Sequence, residues 1–200
     1  MVHIHILGAS GSGTTSLGRA LAREIGALHL DTDDYFWLPT DPPYTTPRAA
    51  PDRIGLLLQK ALPGESWVLS GSALKWGTPI EPLYDLIVFL QIDPKLRMDR
   101  IKRREALRYG ARIEPGGDMA VKSREFLEWA ASYDTAGPER RSLAAHMQWL
   151  ATQSCPIMRL DSSRSIDDLV REVLRHPVLA ARAGKKSGLT AHPASPAIGA

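Results

Sequence analysis

Gly8-Ala9-Ser10-Gly11-Ser12-Gly13-Thr14-Thr15 is the stretch that decides the fold, because of what flanks it. Val2, Ile4 and Ile6 alternate with His3 and His5 ahead of it, the period of a β-strand. Behind it Leu17, Leu21 and Ile25 recur at helical spacing, Ala20 fills the stripe, and Gly26 can end the helix in a left-handed conformation. A glycine-rich turn between a strand and a helix has a specific physical use. Glycines let successive backbone N–H groups point inward around an anion, and the helix N-terminus adds the positive end of its dipole. The eight residues therefore read as a phosphate cradle formed by Gly8, Ser10, Gly11, Ser12, Gly13, Thr14 and Thr15.

Working outward, further short apolar runs alternate with helical patterns. Leu28–Leu30 leads into Asp31, Trp67–Leu69 into Ser70-Gly71-Ser72, Leu86–Leu90 is unbroken apolar sequence, and Pro156–Leu160 precedes a helix near Ile166–Leu174. Strands that alternate with helices predict an α/β fold of three layers, a parallel sheet with helices on both faces. Between them lie a proline-rich loop over 38–51, a helix after it, and a long helical stretch broken at Gly110–Gly117. At 200 residues, 44% hydrophobic and 24% charged, the chain suits one domain large enough to enclose a cleft. That domain is expected to span 1–175. Residues 176–200 shift to Ala, Gly, Pro and Ser and are expected to be a disordered tail.

No apolar run approaches roughly 18 residues, and the sequence opens directly on the strand pattern, so neither a membrane span nor a leader is expected. One cysteine, Cys155, forms no internal disulfide and has no Cys/His cluster around it for zinc, which fits a cytoplasmic protein. The net charge is only +3, and the arginines concentrate between Arg97 and Arg112. That pattern predicts local phosphate binding rather than a nucleic-acid surface. Gly11-Ser12-Gly13 with Asp31 also imitates a dinucleotide fingerprint, but Ser16 occupies the third glycine position and Gly8–Ser10 lengthen the turn.

Gly8–Thr15, Asp31-Thr32-Asp33, Ser70-Gly71-Ser72 and the stretch from Asp93-Pro94 to Arg104 together resemble the P-loop nucleotide kinase group: adenylate kinases, shikimate and gluconate kinases, and adenylate-kinase-like bacterial proteins described as ATPases or topology-modulation proteins. The resemblance implies a P-loop NTPase fold with an acceptor segment around 32–62 and an arginine-rich lid around 104–141. It implies ATP and Mg²⁺ as cofactors, with Thr15 and Asp31 on the metal and Asp33 on the acceptor. Arg100 and Arg104 match the family's arginines on the helix that enters the lid. Being four apart, they share one helix face. Arg140 and Arg141 lie where the family supplies further lid arginines, and Gly110 and Gly116-Gly117 supply hinges for closure.

In one respect the chain departs from that pattern: Thr14 stands where the family carries a lysine that reaches the β- and γ-phosphates. Lys75 or the lid arginines are then expected to supply the cation, Arg104 first among them, helped by Arg100 and by Arg140 or Arg141. The implied acceptor is a nucleoside monophosphate or similar small molecule, with a hydroxylated metabolite of the shikimate or gluconate kind, or a low-turnover nucleotide-binding regulator, as alternatives. Trp37, Tyr44 and Trp76 flank the expected acceptor pocket, whereas Trp129 and Trp149 read as core residues. His3, His5 and His146 read as structural, and Asp33 or Asp34 could instead cap the segment 35–38.

Overall fold

The computed structural model describes residues 1–62 and 64–180. Five strands form one parallel sheet: β1 (His3–Gly8), β2 (Leu28–Asp31), β3 (Trp67–Ser70), β4 (Leu86–Gln91) and β5 (Ile157–Asp161), in the order β2-β3-β1-β4-β5. The helices between them are α1 (Thr14–Ile25), α2 (Thr32–Phe36), α3 (Ala50–Ala61), α4 (Pro94–Tyr109), α5 (Ala120–Ala131), α6 (Leu143–Leu150) and α7 (Ile166–Leu174). β1 lies at the centre, its Ile4 beside Val68 of β3 and Leu86 of β4.

Strand alternation builds the three layers. Ile4 and Ile6 of β1 with Leu86, Val88 and Leu90 of β4 face one way, onto Leu17 and Leu21 of α1 and Leu169 and Val173 of α7. Leu7, Ile87 and Phe89 face the other way, onto Leu57 of α3 and Leu150 of α6. Sequence reading expected a polar face for β1 at His3 and His5. His5 is instead 1% exposed, its Nε2 bonded to the Gly71 carbonyl at 2.9 Å, because β1 is covered on both sides. Burial pulls its pKa down to about 4, against a weaker raising effect of the Gly71 bond.

Helix starts follow local chemistry. Asp93 accepts from Leu96 N–H at 2.9 Å with Pro94 next to it, starting α4, and Ser142 accepts from Ala145 N–H at 3.0 Å to start α6. Gly26, at φ 63°, closes α1. The chain continues past Leu174 into a helical turn at 177–180 whose Leu179 is buried in the first core cluster, so the domain extends beyond the expected 175. The rest of the expected tail lies outside the described residues. Among these residues no helix is long and apolar enough to cross a membrane.

Candidate functional site

In an open parallel sheet, ligands bind beyond the carboxyl ends of the strands, where the chain changes direction. The chain leaves β1 toward β2 on one side and returns from β3 to β4 on the other, and the Gly8–Thr15 loop sits at this point. Gly11 lies at φ +81°, and a Cβ there would stand 2.7 Å from Ile101 Cγ1 and 2.9 Å from the Arg97 carbonyl. The loop is thus pressed against α4, and only glycine fits. Gly13, at φ +90°, turns the chain into α1, whose first N–H groups have no side-chain cap and no acidic residue in the first turn. Those free donors are what an anion requires.

Residues 11–15 of the loop form the floor of a cleft of about 680 Å³ that also contains Asp31, Asp33, Arg100 and Arg104, whereas Gly8 does not line it and Ser10 lines the adjoining cleft. Arg100 donates to the Ser162 carbonyl at 3.0 Å, tying α4 to the β5–α7 loop. Arg108 lines the same cleft, continuing the four-residue ladder from Arg100 and Arg104. It was absent from the sequence reading, yet the periodicity that picked the first two would have found it. Glu105 is buried between Arg104 at 3.5 Å and Arg108 at 3.9 Å.

Asp31 plays a part that the sequence left to its neighbours. It caps α2, one carboxylate oxygen accepting from Asp33 N–H at 3.0 Å and the other from Ser70 Oγ at 3.2 Å. Neither Asp33 nor Asp34 is the cap, and the Asp33 side chain lines the cleft, where it accepts a hydrogen bond from Trp37. Burial holds the Asp33 carboxyl above the usual aspartate range, Asp31 adds to this, and Arg141 and Arg104 oppose it.

A second cleft of about 620 Å³ adjoins the first, and Asp33, Tyr44, Arg104 and Arg108 line both. Phe36, Trp37, Trp76, Phe126 and Trp129 give it aromatic walls, interleaved with charged side chains such as Lys75, Arg104, Lys122 and Glu125. Trp37 and Trp76 are where the sequence expected them. Trp129 is a correction: α5 turns it toward the cleft, where the Arg141 guanidinium lies 5.8 Å from its ring. Trp149 does pack against the core. Tyr44 at φ 61° and Lys75 at φ 70° are the non-glycine residues with positive φ among the described residues, and both line this cleft. Strained backbone of this kind persists where the surrounding structure holds it in place.

Of the paired arginines, the structure brings in Arg141 and leaves out Arg140. Arg141 Nη2 donates to the Gly8 carbonyl at 2.9 Å, whereas Arg140 bonds Ser132 Oγ and lines neither cleft. Lys75 reaches the second cleft only, its Nζ on the Glu139 carbonyl at 2.5 Å. The end of α4 and the turn after it are fastened to the proline-rich loop: Tyr109 donates to the Pro43 carbonyl at 3.0 Å and Arg112 pairs with Asp41 at 2.8 Å. His146 is fully buried, linking Ser72 Oγ (3.1 Å) to Tyr133 OH (2.7 Å), and burial lowers its pKa to about 3.

No family model matches the chain. It is 43% identical over 172 residues to the uncharacterized protein YqaC of Bacillus subtilis strain 168, spanning 86% of this chain and 95% of that one. The chain belongs to the YqaC family. Among solved structures, a gluconokinase from Sinorhizobium meliloti 1021 superposes with a TM-score of 0.51 at 20% identity, over 95% of this chain and 98% of its own. A shikimate kinase from Bacteroides thetaiotaomicron gives 0.49 at 17% identity, over 86% and 96%. The gluconokinase likeness, with the five-stranded parallel sheet, shows that this YqaC relative has the P-loop kinase fold.

Proposed function

We propose that the chain is an ATP-dependent phosphotransferase whose donor occupies the loop-floored cleft and whose acceptor occupies the aromatic one. The observation that carries this reading is that the two clefts adjoin, with Asp33 and Arg104 lining both. A carboxylate at that junction can orient an acceptor and take its proton, and a guanidinium there can stabilise charge on the transferred group. The residues present fit an anionic donor. Oγ of Ser12 and Nε of Arg104, both on residues of the loop-floored cleft, are buried without a hydrogen-bond partner, as is Nε of Arg141 on the adjoining cleft, the condition of donors prepared for an acceptor.

Mg²⁺ would be held by Thr15 through its hydroxyl and by Asp31, and when bound it supplies charge neutralisation across the phosphates. Thr15 and Asp31 line one cleft, and the described residues hold no cluster of three or more His, Cys, Asp and Glu that could bind a metal. A site with so few protein ligands suits an ion that keeps its waters and takes oxygens from the substrate.

The aromatic walls favour an acceptor with a flat ring, and the cations around them favour one that carries negative charge. A nucleoside monophosphate has both features; a polyhydroxylated acid of the gluconate kind has only the second. The test is ATP consumption by the whole chain with Mg²⁺ and either a panel of nucleoside monophosphates or a panel of sugar acids. Stimulation by a monophosphate is expected. Stimulation by sugar acids alone would move the assignment to the metabolite kinases, and the absence of transfer to either panel would favour a nucleotide-binding regulator.

A further inference from the structure

We infer that Arg141, which reaches the phosphate loop from a segment 126 residues beyond Thr15, supplies the cation that Thr14 cannot and binds the terminal phosphates of the nucleotide. The inference rests on the donor-site assignment above.

A loop built only from backbone N–H groups and hydroxyls offers dipoles but no full charge, whereas a triphosphate carries several negative charges. Three cations compete for the role. Lys75 lines the aromatic cleft, as Arg141 does, but it is committed to the Glu139 carbonyl rather than to the loop. Arg104 lies at the junction, but its Nη2 leans toward Glu105 and its side chain is 41% exposed. Arg141 alone among them touches the loop itself, Nη2 donating to the carbonyl of the loop's first residue at 2.9 Å.

The other contacts of Arg141 leave capacity to spare. A guanidinium has five N–H donors, and Arg141 Nε is buried with no partner. Its neighbour Trp129 presents a ring at 5.8 Å, which steadies a cation without using any of its donors. Burial holds the Arg141 pKa below the ordinary arginine value, with Asp33 and Tyr133 opposing. A cation so placed, with one hydrogen bond fixing it and others unmade, gains most when an anion arrives. An arginine also suits the position chemically, since its planar fork can serve the Gly8 carbonyl and a phosphate oxygen together.

The experiment is calorimetric binding of Mg-ATP and of adenosine to the full chain, comparing Arg141→Met, Arg141→Lys, the Arg141→Met/Thr14→Lys pair, and Arg140→Met as a neighbouring control. Arg141→Met is expected to weaken ATP by about 10- to 100-fold, the range of a lost charge-assisted hydrogen bond, while adenosine affinity stays within about twofold. Arg141→Lys should keep much of the ATP affinity, Thr14→Lys should restore part of it to Arg141→Met, and Arg140→Met should bind as the wild type does. Equal ATP affinity in wild type and Arg141→Met overturns the inference while leaving the donor site standing. So does a parallel loss of ATP and adenosine that Thr14→Lys fails to repair, which marks Arg141 as structural. A wild type that binds no ATP overturns the donor site as well.

Discussion

The two clefts are made in opposite ways. The loop-floored cleft takes its floor from six consecutive residues, 11–16, whose conformation is set locally by glycines and by the start of α1. The aromatic cleft is assembled from side chains as distant in sequence as Trp37, Trp76, Phe126 and Arg141, brought together by the packing of separate elements. A contiguous site can be destroyed at one position. A dispersed one should weaken by degrees, because each wall contributes only part of the contact area.

The largest effect should follow from breaking the contiguous half. Gly11→Val places a branched side chain at φ +81° with its Cβ 2.7 Å from Ile101 Cγ1, so the loop must leave α4. Stability should fall by about 1–3 kcal/mol, and the folded variant should show no stabilisation by Mg-ATP in a thermal scan. Retained stabilisation would mean that nucleotide binds elsewhere.

Next in size is the junction. Asp33→Asn should lower turnover by about 10²–10⁴ while Mg-ATP affinity changes little, since the loss falls on positioning and proton transfer. The same change should raise stability. A buried aspartate whose pKa is held above its unfolded value favours folding in the protonated form, and that advantage is lost as pH rises through the folded pKa. Asp33→Asn should therefore unfold at a higher temperature than wild type at pH 7, and calorimetry should show the gap closing on acidification toward the ordinary aspartate range. A destabilised variant at pH 7 would show that Asp33 holds the fold rather than the acceptor.

The smallest effect belongs to one wall of the dispersed half. Trp37→Ala removes a ring that lies edge-on to Phe36 at 4.8 Å and to Tyr44 at 6.4 Å. Acceptor KM should rise about 10-fold with Mg-ATP affinity unchanged. A matched loss of ATP affinity would show that the two clefts do not act separately.

What the sequence revealed follows the same division. Strand and helix periods placed all five strands and the loop, since each is specified by its own neighbours, as the unbroken run Leu86–Leu90 shows. Arg100 and Arg104 were legible because one helix carries both. Long-range packing hid the rest. Nothing in the spacing of α5 says that Trp129 turns toward a cleft, nothing in Arg140-Arg141 says which arginine points to Gly8, and His5 looked polar until α6 and the aromatic cluster at Tyr84 covered β1. Asp31 was legible as the carboxylate at the end of β2, but the cap was assigned to its neighbours because α2 begins at Thr32 with no residue between strand and helix.

Binding of a triphosphate by a phosphate loop that carries Thr14 in place of the usual lysine is the proposal on which all the others depend. Thermal unfolding of the whole chain against rising Mg-ATP measures this. The account predicts a midpoint that climbs with ligand, corresponding to about 2.7 kcal/mol at a hundred times the dissociation constant. A midpoint unmoved by Mg-ATP up to millimolar concentration would contradict it.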